Sequence, residues 1–566
     1  MKEAFSFFIF YFLFLITLHA QEKKVFTHGD TLRGSVTPER AWWDVLRYDI
    51  TVKPDYGNKT IEGVCNIKYK VIKGLDDREY LQIDLQSPLQ IDSFKIDNGE
   101  VYNKASMIVN YATESYIQKI DSSVWYLIIG KEDLNSSHNL TIYYHGKPRE
   151  AIKPPWDGGW IWKKDKLGRP WMSVACEGLG ASVWYPCKDY LADEPDKGAS
   201  LSIIVPDTLV AVGNGRRTST KKNNDGTTTY KWEVKNPINN YNIIPYIGKY
   251  VNWSDTLHGE KGTLDINYWV LDYNLDSAKA QFTQTKPMLH ALEYWFGAYP
   301  FYEDGYKLVE SPHLGMEHQS AVAYGNGFHN GYRGIDLSES GWGLKWDFII
   351  EHESSHEWFG NNITMKDQAD MWIHESFANY SETLYTEYLF GKAAGNEYNV
   401  GTRKRIQNDE PIIAPYGVNA EGSGDMYYKG GNMLQAIRHS LNDDIKWRAI
   451  FRGLNKTFYH QTVTTKQVEN YISTNAGMDL SKVFDQYLRT TQIPQLSYYY
   501  SNNKKKVYYR WDSCVAGFNM QLVLSHNDKS IRIKPTQSWN SSEDVDFFNP
   551  AWIINNYYIK IREVQP

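Results

Sequence analysis

Cysteine is scarce in this chain, with only Cys65, Cys176, Cys187 and Cys514 among 566 residues. So few thiols exclude a disulfide-built scaffold, and although four cysteines permit three pairings, their spacing selects none. Charge of one sign is also lacking. The formal net charge of −6 is small for the length, so neither nucleic acid nor an anionic membrane is an implied partner. After the first twenty residues no apolar run is long enough for a membrane span, because charges interrupt every candidate. The start carries an apolar run that is itself too short for a comfortable span. Lys2, an apolar stretch over 5–18 and Ala20 before Gln21 predict a signal peptide over 1–20 and export to the periplasm or the extracellular space. No repeat and no low-complexity linker breaks the remainder.

What is there is length enough for two or three domains with cores of their own. From Trp42 to about Ile247, short alternating runs such as Tyr48-Asp49-Ile50-Thr51-Val52 and Leu201-Ser202-Ile203-Ile204-Val205 are broken by Gly, Asn, Asp and Pro. That pattern predicts a large antiparallel β-domain, interrupted by a Trp/Gly/Asp/Pro loop system over 154–195. From about Asp276 to Thr491 the period becomes helical, and the last 75 or so residues return to alternation. The expected fold class is therefore multidomain α+β. A β-rich domain spans 21–255, a mainly helical domain 256–491, and a small β-module 492–566, with no further helical domain.

The richest local signal is His352-Glu353-Ser354-Ser355-His356, followed nineteen positions later by Glu375. On a helix, residues four apart share a face, so His352 and His356 can reach one ion. Glu375 supplies a third ligand and leaves a fourth position open, the pattern of one catalytic zinc per chain rather than a structural zinc. Glu353 lies beside that face as a general base. Ser340 is the expected cap of the helix that carries the histidines, with Gly360 ending it; 369–390 reads as a second helix closed by Gly391 and carrying Glu375.

Upstream lies Leu314-Gly315-Met316-Glu317-His318, and downstream Tyr427-Tyr428-Lys429-Gly430. With these, the chain resembles the zinc aminopeptidases of metallopeptidase family M1, the aminopeptidase N and leukotriene A4 hydrolase group. Their pattern is G-x-M-E-N, then H-E-x-x-H, then a glutamate within N-E-G-F-A; here the flanks read HESSHEWFGNNITM and WIHESFANY. The resemblance implies a thermolysin-like catalytic domain and removal of N-terminal residues from peptides bearing a free amine. It implies that Glu317 binds the substrate α-amine, with Gly315 and Met316 holding the peptide beside it. Glu177, ten residues before Cys187 in Pro186-Cys187-Lys188-Asp189, matches a second amine-binding acid. Tyr427 matches the tyrosine that donates to the developing oxyanion, and Lys429 is read as a structural ion-pair partner. The chain departs from the pattern at His318, His374 and Ser376. His374 is expected beside the metal site rather than as a fourth ligand, because neighbouring helix positions diverge by about 100°. A more open cleft is expected from the chain's length. Two other readings stay open: epoxide hydrolysis in the same zinc site, and an inert surface protein that binds peptides or glycans. Oligomeric state and side-chain preference are not legible.

Overall fold

The computed structural model describes residues 25–74, 79–103, 106–109, 112–130, 132–527 and 529–565. The signal-peptide expectation, over 1–20, lies outside the described residues. The first element is a short helix, His28–Gly34, closed at its start by a reciprocal Thr27–Asp30 capping box. It rests on a distant loop: the Asp30 carbonyl accepts from the Asn419 amide.

The alternating runs form an eight-stranded sheet. Trp43–Asp55 lies at its middle, antiparallel to Thr60–Val71 and parallel to Ala199–Pro206. Alternate residues such as Tyr48, Ile50 and Val52 turn into one core, which Trp269, Leu271 and Val309 of a later sheet join, as period-two burial requires. The expected loop system over 154–195 contains two strands, Gly159–Lys164 and Pro170–Ala175. They pair with each other and, through Tyr246–Gly248, make a second, four-stranded sheet. Trp160 and Trp162 explain the difference, since both are buried and stacked on each other rather than exposed in loops.

A five-stranded sheet follows. Its strands Gly262–Leu271, Tyr306–Glu310 and Val322–Tyr324 run parallel, and Gly315–Met316 pairs antiparallel at the edge. Helices then dominate, and their buried faces share a second core with the C-terminal residues. The C-terminal region carries a four-stranded sheet and a hairpin, as alternation predicts. It also carries a helix, Pro550–Asn556, started by Asn549 with proline at the first turn, so it is not purely β. All four cysteines are free thiols, three of them buried. Among the described residues no helix is long and apolar enough to cross a membrane.

Candidate metal and peptide site

The helix bearing the histidines is Phe348–Ser355, shorter than expected. Asp347, not Ser340, caps it, accepting from the Ile349 and Ile350 amides. Asp347 is itself fixed by Tyr324, Asn326 and Gln281, while Ser340 accepts from the Trp342 amide in a preceding 3₁₀ turn. Regular helix stops at Ser355, with His356 as the C-cap, so Gly360 lies beyond it. The second helix, Trp372–Phe390, follows the sequence closely, and Gly391 closes it at φ +93°.

These two helices bring His352, His356 and Glu375 together. One ligand atom from each lies within 4.8 Å of the others, and all three residues are buried. Each histidine is oriented through Nδ1, His352 by Glu382 at 2.9 Å and His356 by the Phe359 carbonyl at 3.0 Å. Both Nε2 atoms therefore face Glu375 Oε2, at 3.6 and 3.7 Å. Glu375 Oε2 is buried and has no hydrogen-bond partner. Three ligands about 2.1 Å from one tetrahedral zinc stand about 3.4 Å apart, so this set fits the ion. Glu382 was not among the expected site residues. It accepts from Tyr398 as well as binding His352, and its position seven residues after Glu375 on one helix face is the available signal.

Glu353 projects beside the triad towards the edge strand. A Cβ added at Gly315 would lie 2.4 Å from Glu353 Oε1, so any larger residue there would displace the carboxylate from its present place. Burial, and after it the carboxylates of Glu317, Glu375 and Glu382, push Glu353 up to about 8 against the pull of His352. A cation on the triad opposes that rise.

Tyr427 lies over His352, with ring centroids 6.0 Å apart. Burial first, then Glu375 and Glu177, raises its phenol above the ordinary value, which keeps it a hydrogen-bond donor. Its neighbour Tyr428 lines the same cleft, its phenol raised by burial and then by Glu382, with Arg405 opposing. Ser376 reaches this loop, donating to the Met426 carbonyl at 2.6 Å. Among the described residues Lys429 makes no ion pair, and its ammonium donates to the Thr490 carbonyl, with Asp425 and Asp409 favouring its charge.

The two remaining acids, Glu177 and Glu317, gather at the His356 end with His374. Glu317 accepts from Tyr241 at 2.9 Å, and Asn361 ties its backbone to the end of the histidine-bearing segment. Burial, then Glu317, Glu375 and Glu421, raises Glu177 well above the carboxylate range. Neither acid has a Lys or Arg ion pair among the described residues, which leaves room for a ligand's cation. His374 stands off the triad, facing Glu177 at 3.6 Å. His318 turns into the interior, with Nδ1 2.5 Å from the Tyr246 hydroxyl. All nine expected site residues line one cleft of about 800 Å³.

Two family models match. One, described as the peptidase family M1 domain, covers 344–487, and the peptidase M1 N-terminal domain covers 45–241. The chain belongs to peptidase family M1. Among curated family relatives, an aminopeptidase N of Lactobacillus helveticus is 26% identical over 79% of this chain and 51% of its own length. A probable aminopeptidase 2 of Sulfurisphaera tokodaii is 23% identical over 77% of this chain and 56% of its own. The chain thus spans about half the length of the curated relatives it matches. Among solved structures, an M1 zinc metallopeptidase from Deinococcus radiodurans superposes with a TM-score of 0.66 at 19% identity. That match covers 81% of this chain and 97% of the other. A mutant of the same enzyme is described with a bound Tyr-Ser-Ala substrate.

Proposed function

We propose that this chain is an exported zinc aminopeptidase that removes the N-terminal residue of peptides, with one zinc ion held by His352, His356 and Glu375. The observation that carries the reading is the pair Glu177 and Glu317, two acids beside the ligand triad that have no lysine or arginine partner among the described residues. An exopeptidase must hold a cationic amine one residue from the scissile carbonyl, and paired carboxylates do so through charge-assisted hydrogen bonds. The relative with the bound tripeptide supports the same substrate class.

When bound, zinc polarises the carbonyl and lowers the pKa of water to about 7. Around it, each residue has a task. Glu317 and Glu177 fix the α-amine, while the free edge of the Gly315–Met316 strand offers its backbone to the extended peptide. Glu353 takes a proton from the attacking water and delivers it to the leaving nitrogen. Tyr427 donates to the oxygen on which charge develops. Glu382 and the Phe359 carbonyl hold the two imidazoles with Nε2 bare. Export rests on the pattern over 1–20, and the N-terminus of the secreted or periplasmic protein tests it: a start after Ala20 is expected.

The activity is tested with aminoacyl anilides whose α-amine is free or acetylated, with chelator and with zinc restored. Cleavage confined to the free amine, lost to chelator and regained with zinc, is the expected outcome. Equal cleavage of the acetylated compounds, or none by folded metal-loaded protein, overturns it.

A further inference from the structure

Glu177, Glu317 and His374 are close enough to be mistaken for a second metal site. The hydrogen bonding of His374 argues otherwise. Its Nε2 accepts from the Met365 amide at 2.9 Å, so that nitrogen carries no proton. In a neutral imidazole the proton is then on Nδ1, and Nδ1 is a donor rather than a lone pair for a cation. His374 is completely buried, its Nδ1 has no hydrogen-bond partner, and Nδ1 points at Glu177 Oε1, 3.6 Å away. That oxygen is itself buried and without a hydrogen-bond partner. Two unsatisfied buried groups of opposite polarity, facing each other across a gap slightly too long for a bond, mark a contact that tightens when the site closes on its ligand.

We propose that His374 is a positioning residue of the amine subsite: its Nδ1–H holds Glu177 Oε1 and so aims the carboxylate at the substrate ammonium. This deepens the aminopeptidase reading and rests on it. The imidazole spans two anchors, the Met365 backbone at one end and Glu177 at the other. A group with a single rigid spacing between acceptor and donor thereby links the start of the second helix to a loop of the N-terminal β-rich region.

The two ends can be separated by substitution, because an Asn amide stands near the place of Nδ1 and a Gln amide near that of Nε2. H374N keeps a donor towards Glu177 and loses the Met365 contact; H374Q keeps the Met365 contact and loses the donor. The probes are leucine hydroxamate and its des-amino counterpart, 4-methylpentanoic hydroxamate. Both bind zinc, and the ratio of their inhibition constants reports the amine subsite alone. The expected result is that H374N keeps the wild-type ratio within about threefold, while H374Q lowers it about ten- to a hundredfold, as a hydrogen bond to a charged group is worth.

A ratio retained in H374Q and lost in H374N overturns the proposal and leaves His374 as a backbone tie. Equal ratios in both variants and the wild type overturn it as well. Should the unsubstituted enzyme bind both hydroxamates equally, the amine subsite itself fails and this inference with it; retention there and in H374Q sinks the inference alone. Histidine-selective ¹⁵N spectra of the unsubstituted protein give a check that needs no variant. A neutral ring protonated at Nδ1, moved by leucine hydroxamate and less so by its des-amino counterpart, supports the proposal. Protonation of that ring at Nε2 overturns it.

Discussion

Glu353 lies in a buried setting that raises its proton affinity, with nearby carboxylates adding to the rise, and it packs closely against the Gly315–Met316 strand. The proposed base loses its function with one atom. Glu353→Gln keeps the shape and removes the proton acceptor. The expected fall in kcat is about 10²–10⁴-fold, with metal content by elemental analysis still one per chain. Tyr427→Phe removes a donor and is expected to lower kcat about 10²–10³-fold. Unchanged kcat in either variant, measured at saturating anilide, removes that residue from the chemistry. At this scale the sequence was most legible where helix geometry alone sets distance, as for His352 and His356. Glu382 shares that geometry with Glu375, yet nothing local marks it as a buried acid aimed at an imidazole. The contacts of His374 were not legible either, since Met365 and Glu177 approach it from separate parts of the chain.

Among elements, the joint between the Trp372–Phe390 helix and the Tyr428–Leu441 helix sets the place of Tyr427. Ser376 binds the Met426 carbonyl there, and a Cβ at Gly430 would stand 1.9 Å from Ser376 Oγ. Gly430→Ala is therefore expected to destabilise the fold by about 1–3 kcal/mol through overpacking. Adding Ser376→Gly should restore part of that stability by removing the obstructing hydroxymethyl group. Urea denaturation of the single and double variants checks this, and an additive loss in the double variant contradicts the direct clash. The Ser340 expectation failed at the same scale. Serine and aspartate both cap helices, and tertiary partners decide which does: Tyr324, Asn326 and Gln281 converge on Asp347. The C-terminal helix Pro550–Asn556 carried a readable Asn-Pro start, but seven residues among alternating runs give little helical period.

Across the whole molecule, the change from alternating to helical period was legible because each period persists over many residues, in the strands up to Gly262–Leu271 and in the helices from Phe348–Ser355 to Ser481–Arg489. Long-range pairing was not, as in the parallel contact of Trp43–Asp55 with Ala199–Pro206. The five-stranded sheet also carries a buried acid. Glu310, buried on a strand of that sheet, is raised from 4.5 to about 7 by burial, although the Leu271 amide and Asn274 pull it down. Its raised folded pKa means that the fold binds a proton the unfolded chain has released between these values. The stability it contributes is full below about pH 4.5 and is lost as pH rises through about 7. Glu310→Gln is expected to flatten stability over this window, by at most about 1.4 kcal/mol per pH unit. Equal pH slopes for variant and wild type in urea denaturation contradict the assignment. The helix His28–Gly34, docked by Asp30 on the loop at Asn419, finally sets a clock. At about 5–20 residues per second, a ribosome delivers that loop roughly 20–80 s after the helix segment. Seven residues cannot hold a helix alone for that time, so the segment stays accessible to chaperones and processing proteases until one wall of the cleft emerges to receive it.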